Sequence, residues 1–148
     1  NDRTNGKRNG RGMMASVREL EPWAPMAFFE KTPIIGYVVA LDWSVVAVTD
    51  RLLREIGQPR EAVVGRNVFE VFPDNPDDPD ADGSAVMRAS LERAFTSGEV
   101  EVLPRQRYDA PPVEPGGEFR ERYWLPENVP VKGPDGAVAY VIHTVVSA

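Results

Sequence analysis

The chain has 148 residues, with 17 Lys and Arg against 23 Asp and Glu, a formal net charge of −6 and no cysteine. Without cysteine there is no disulfide framework, no thiolate metal site and no thiol nucleophile, and a single histidine, His143, excludes a His-rich metal centre. The acidic balance disfavours a nucleic-acid partner, because phosphate-backbone affinity comes from clustered Lys and Arg, and only Lys7, Arg8 and Arg11 cluster here.

The length suits one domain that buries roughly 68–70% of its unfolded surface. No apolar run approaches the roughly 20 residues of a membrane span, and the first residues are polar rather than signal-like. A soluble, cytoplasmic protein is expected. The sequence begins at Asn1 and ends within an apolar run, which reads as a piece of a longer protein.

Residues 1–13 are rich in Gly, Asn, Arg and Lys and predict a disordered leader, since they have too little apolar surface to offset their ordering entropy. Over 14–32, Met14, Val17 and Leu20 recur at helical spacing, and Trp23, Met26, Phe28 and Phe29 follow. This predicts an amphipathic cap helix. The run 34–41 is apolar on both parities, as in a strand buried on both faces, and 45–48 pairs with it through Asp42-Trp43-Ser44. Thr49 then caps a helix carrying Leu52, Leu53 and Ile56, closed by Gly57. Short helical turns are expected over 62–72.

Five Asp crowd residues 74–82, a solvated loop. Beyond it, Met87, Leu91, Ala94 and Phe95 form the apolar stripe of a helix capped by Asp82 or Ser84 and stopped by Gly98. Val100 and Val102 alternate with Glu99 and Glu101 in a third strand. Segments 118–131 and 137–146 are two more, joined by the Asp135-Gly136 turn. Strand, strand, helices and three strands make an α+β fold with the helices gathered on one face of a sheet.

The strand from Ile34, the turns ending in Glu61-Ala62-Val63-Val64-Gly65-Arg66-Asn67, the long helix and the hairpin from Pro130 to Val146 together resemble a PAS domain. The resemblance covers about residues 26–147, with the domain itself placed at 33–148. It implies a five-stranded antiparallel sheet in the order 2-1-5-4-3 that cups a small cavity. It also implies a sensory or relay role in a bacterial signalling protein, such as a histidine kinase of a two-component system, with no catalysis of its own. The flavin-binding LOV branch carries a cysteine after Gly-Arg-Asn; here Gly65-Arg66-Asn67 is followed by Val68, so no covalent flavin adduct can form. The flavin-contacting Gln of that branch aligns with Val145. Residues 84–97, the helix that supplies the iron ligand in haem PAS domains, contain no His. The cofactor is therefore left unassigned.

By position in the resemblance, His143 on the last strand faces the cavity, where it is either a core histidine or a contact to a ligand or metal. Trp124 and Asn128 share a face of the preceding strand. The resemblance turns that face inward, whereas simple alternation buries Tyr123, Leu125, Val129 and Val131 instead. Asn67 and Phe95 complete the candidate ligand-binding residues; no catalytic or metal-ligating residue is assigned. Asp78-Pro79-Asp80-Ala81-Asp82-Gly83 opens like a calcium loop, but the position of the bidentate Glu is Ala89. The expected partners are a small molecule, an effector outside this chain and a second copy bound through the cap helix and outer sheet face. A ligand-free dimerisation module and a small carboxylate-based cavity enzyme are the alternatives. The Asp-x-Thr that commonly follows the last PAS strand is absent, since Val146-Ser147-Ala148 stands there.

Overall fold

Thr49 joins the first hairpin to the helix that follows it. Its hydroxyl accepts from the Leu52 N–H, capping helix α2 (Asp50–Ile56), and from the Gly36 N–H of strand β1 (Ile35–Ala40). At the other end Gly57, at φ +66°, closes α2 in the left-handed conformation that glycine adopts without a Cβ clash. β1 pairs antiparallel with β2 (Val45–Val48) across a turn in which Asp42 accepts from the backbone and hydroxyl of Ser44. In that turn Trp43 stands at φ +70° and packs edge-on against Phe69 and Phe95.

This computed structural model describes residues 20–148, so the leader and the Met14 and Val17 part of the expected cap helix lie outside the described residues. What is described of the cap is a shorter helix, α1 (Ala24–Lys31), with Pro25 in its first turn. It packs on β2 and α2 and is tied there by Lys31 to Asp50, which Arg60 also binds at 2.6 Å. A 3-10 turn (Arg60–Ala62), helix α3 (Val68–Val71) and helix α4 (Gly83–Ser97) follow. α4 ends at Gly98 as expected, but Asp82 makes no side-chain cap. The Ser84 N–H is instead satisfied by Asp74, ten residues back in the acidic loop.

Strands β3 (Glu101–Val102) and β4 (Gln106–Arg107) lie along β5 (Tyr123–Lys132), which pairs with β6 (Val138–Ser147), which pairs with β1. The sheet order is β2-β1-β6-β5-β3. This is the expected path with one more strand, because Pro104 lacks the N–H to continue a ladder and splits the edge strand into β3 and β4. The segment expected to be a strand from 118 begins at Tyr123; before it Arg120 makes only an isolated bridge to Ala110.

The helices cover one face of this sheet. Val39, Val45, Val48, Ile56, Val63, Val68, Leu91, Ala94 and Val141 fill the space between. On β5 the structure buries Trp124, Pro126 and Asn128 and leaves Leu125 exposed, so hydrophobic alternation points the wrong way there. The outer face over β5 and β6 carries Leu125, Val131, Tyr140 and Val146, all exposed among the described residues.

Thr49→Val keeps the shape but strands two N–H groups. The expected loss is about 1–3 kcal/mol of unfolding free energy in denaturant titrations; an unchanged midpoint would contradict the linking role.

Candidate functional site

The inner face of the sheet holds one polar row among apolar ones. Val48, Tyr37, His143, Asn128 and Glu101 are successive partners across β2, β1, β6, β5 and β3, so the sheet register alone brings their side chains side by side. His143 Nδ1 lies 2.7 Å from Asn128 Oδ1. Asn128 is fully buried, and its amide donates to Ser90 Oγ on α4 at 2.9 Å and faces the Met87 sulfur at 3.6 Å. Ser90 Oγ is 3.4 Å from Glu101 Oε2, which also accepts from Arg93 at 3.1 Å. On the other side, the Tyr37 ring stacks on the His143 imidazole with centroids 4.6 Å apart, and on Phe72 at 5.3 Å.

Next to this row, between the sheet and helices α2, α3 and α4, is a cavity of about 80 Å³. Its walls are mostly apolar, among them Ile35, Val68, Phe72, Met87, Pro126 and Val145, with His143, Tyr37, Ser84, Tyr108 and, towards the rim, Glu55, Gln106 and Asp109 supplying polar atoms. The Trp124 indole N–H is spent on the Tyr108 carbonyl at 2.9 Å, so Trp124 offers the cavity its ring rather than a donor. The Tyr108 hydroxyl donates to the Phe72 carbonyl and lies 3.3 Å from Ser84 Oγ. Gly83 allows this closure, since a Cβ there would fall 2.2 Å from the Tyr108 ring. The segment that carries Tyr108, Asp109 and Pro111 is held over the cavity by Arg122, paired with the Glu55 carboxylate, and by Arg120, which donates to the Glu55 carbonyl.

Burial sets the electrostatics of the cavity. It pushes the His143 imidazole down to about 3, so the ring is neutral near pH 7. Burial also raises Tyr37 far above the usual phenol value and Tyr108 to about 12. Asp109, at the rim, is held below the usual carboxylate range chiefly by Arg107. The acidic loop beside it turns its side chains onto its own backbone: Asn75 Oδ1 accepts from the Asp77 N–H and Asp78 Oδ1 from the Asp80 N–H.

Of the five residues singled out in the sequence, the structure brings three together. His143 and Trp124 line the cavity, and Asn128 stands behind His143 and orients it. Asn67 does not reach the cavity; its side chain caps α3 by accepting from the Phe69 N–H. Phe95 packs against Trp43 at a centroid distance of 5.9 Å, away from the cavity. Tyr37, Ser90 and Glu101 were not singled out. The signal for Ser90 is present in the sequence, because it falls on the apolar stripe between Met87 and Leu91, where a polar side chain must find a buried partner.

No protein-family model and no curated protein matches the sequence. Solved structures do match in shape. A LOV protein from Rhodobacter sphaeroides is 19% identical with a TM-score of 0.61, covering 83% of this chain and 64% of that one, so this chain spans less than two thirds of its length. The PAS domain of a protein from Colwellia psychrerythraea is 12% identical at a TM-score of 0.61, covering 84% of this chain and 94% of that one. A sensory box sensor histidine kinase from Vibrio cholerae is 14% identical at 0.55, covering 98% and 99%. At these identities the likeness shows the fold: this chain has the PAS fold.

The flavin that a LOV neighbour brings to mind does not fit this cavity. A cavity of ~150 Å³ holds one benzene ring, and this one, at about 80 Å³, is too small for a three-ring isoalloxazine. At its wall stands Val68, which has no sulfur to bond a flavin carbon.

His143 also sets a pH dependence. Because its folded pKa lies below its unfolded value, the unfolded chain takes up a proton that the folded chain refuses between pH 6.5 and about 3. Stability is unaffected by this group above 6.5. It falls as the pH drops through that window, by up to ~1.4 kcal/mol per pH unit. Denaturant titrations at stepped pH are expected to show this slope in the wild type and its loss in His143→Gln; equal slopes would contradict the neutral, buried imidazole.

Proposed function

We propose that this chain is a sensory PAS domain of a cytoplasmic signalling protein, of the kind in which a histidine kinase is the effector, and that it binds a small uncharged molecule in the cavity beside His143. The observation that carries this reading is the cavity itself, lined mostly by apolar side chains and bordered by a neutral imidazole on β6. β6 pairs with both β1 and β5, so a ligand that presses on His143 acts on the centre of the sheet. Occupancy then favours one packing of the sheet over another, and the difference in affinity between the two states is what an effector outside this chain would read. The domain itself is read as non-catalytic: the only imidazole is spent on Asn128 at one nitrogen, and among the described residues no nucleophile is aligned with it.

A second observation favours self-association alongside sensing. Leu125 and Val146 are cross-strand partners on the outer face, 47% and 65% exposed, and beyond the Glu127–Thr144 pair Val129 with Ile142 and Val131 with Tyr140 follow on the same face. Single exposed apolar residues are ordinary, whereas several gathered on one sheet face mark a contact surface. We read it as the interface of a homodimer.

Native mass spectrometry of the purified protein tests the first reading. A released added mass, lost in Val145→Phe, which fills the cavity from its wall, is the expected result. Identical apo masses, together with no thermal shift on screening small uncharged compounds, would overturn it. For the dimer, light scattering is expected to give twice the monomer mass and Leu125→Glu to restore the monomer; a wild-type monomer at high micromolar concentration would contradict it.

A further inference from the structure

Every hydrogen bond has a direction, and in the polar row that direction is set from one end. Glu101, a carboxylate paired with Arg93, can only accept. The Ser90 hydroxyl at its side therefore donates to Glu101 and accepts from the Asn128 amide. The Met87 thioether, which also cannot donate, faces the same amide nitrogen at 3.6 Å, a weak acceptor that favours this amide orientation without fixing it. With its nitrogen turned to α4, Asn128 offers only its carbonyl oxygen to His143, and that oxygen 2.7 Å from Nδ1 requires Nδ1 to carry the proton. A neutral imidazole protonated at Nδ1 has a bare lone pair at Nε2. Among the described residues nothing donates to that nitrogen, although His143 lines the cavity.

We propose that the cavity selects a ligand with an apolar body and one N–H or O–H donor, received by His143 Nε2, and that Glu101, outside the cavity, is the positioning residue that imposes this choice through Ser90 and Asn128. The inference rests on the reading of the cavity as a ligand site. A ligand that offers only an acceptor would require the opposite imidazole tautomer. Asn128 would then have to turn its amide, directing its carbonyl at the Met87 sulfur and at a hydroxyl already committed to Glu101. The row admits one polarity and penalises the other. The volume of about 80 Å³ restricts the body to a few heavy atoms.

Because His143 is the only histidine, nitrogen-15 NMR reads its two ring nitrogens without ambiguity. The probes are ethanol and acetonitrile, molecules of three heavy atoms each, of which the first carries an O–H donor and the second only an acceptor. In the wild type the proton is expected on Nδ1, ethanol is expected to move the Nε2 resonance, and ethanol is expected to bind at least tenfold more tightly than acetonitrile. In Glu101→Gln, whose amide can donate as well as accept, the second tautomer is expected to appear and the preference for ethanol to shrink severalfold. Glu101 is partly exposed and its replacement keeps the shape, so a folded variant is expected; Ser90→Ala, which removes the link without touching Glu101, is expected to loosen the tautomer in the same way. A proton on Nε2 in the wild type, or equal binding of ethanol and acetonitrile, would overturn the proposal. So would a tautomer that ignores both substitutions. Binding of neither probe, with the tautomer and its response to Glu101→Gln as stated, would count against the cavity as a ligand site while upholding the polarity that Glu101 imposes.

Discussion

An amide and an imidazole buried in the middle of an apolar sheet face must satisfy each other or cost the fold several kilocalories per mole, and the rest of this structure is arranged around that constraint. Asn128 and His143 meet because β5 and β6 pair in the register that makes them direct partners. A one-residue slip of β5 would carry Asn128 to the outer face, strand His143 and put Leu125 and Val129 under the helices. The polar pair thus pins the register of the two longest strands, and Ser90, donated to by the same amide, pins α4 to the sheet at one height. Local signals could not do this, since the apolar count on β5 favours the wrong parity.

The same pair places the cavity. Tyr37 and His143 stack where a purely aliphatic row would interlock with the helices, and their rings, with Phe72 and Trp124, leave a space beside them. The segment over the mouth is held by ion pairs, and its own backbone pairing is confined to short bridges such as Ala110 with Arg120. That construction gives it fewer backbone hydrogen bonds than the sheet floor, where β6 pairs with both its neighbours.

Much of the fold is legible in the sequence where one residue decides a local event. Thr49 and Gly57 bound α2, Gly98 stops α4, and Gly136 at φ +82° turns the last hairpin. The features that escaped are those in which the deciding partner is distant in sequence or the relevant group is the backbone. Asp74 caps α4 from ten residues away, and Pro104 divides an edge strand by lacking a donor. At the site, the position of His143 and Trp124 was legible through the resemblance. Ser90 is marked by its place on an apolar stripe, but its partner, 38 residues off, is not, and Glu101 is joined to Asn128, 27 residues off, only by the sheet register. Asn67 is committed to a helix start two residues on and Phe95 to the turn aromatic Trp43, so both serve the scaffold instead.

The central claim is that His143 and Asn128 act as one unit. A double-mutant cycle with His143→Leu and Asn128→Leu, followed by denaturant unfolding, tests it most directly. Each single substitution is expected to cost about 1–3 kcal/mol by stranding its partner, and the double to cost no more than either single, a coupling of at least ~1 kcal/mol. Additive losses would mean that the two side chains are satisfied independently, and the polar row would not be the element on which register, cavity and ligand polarity depend.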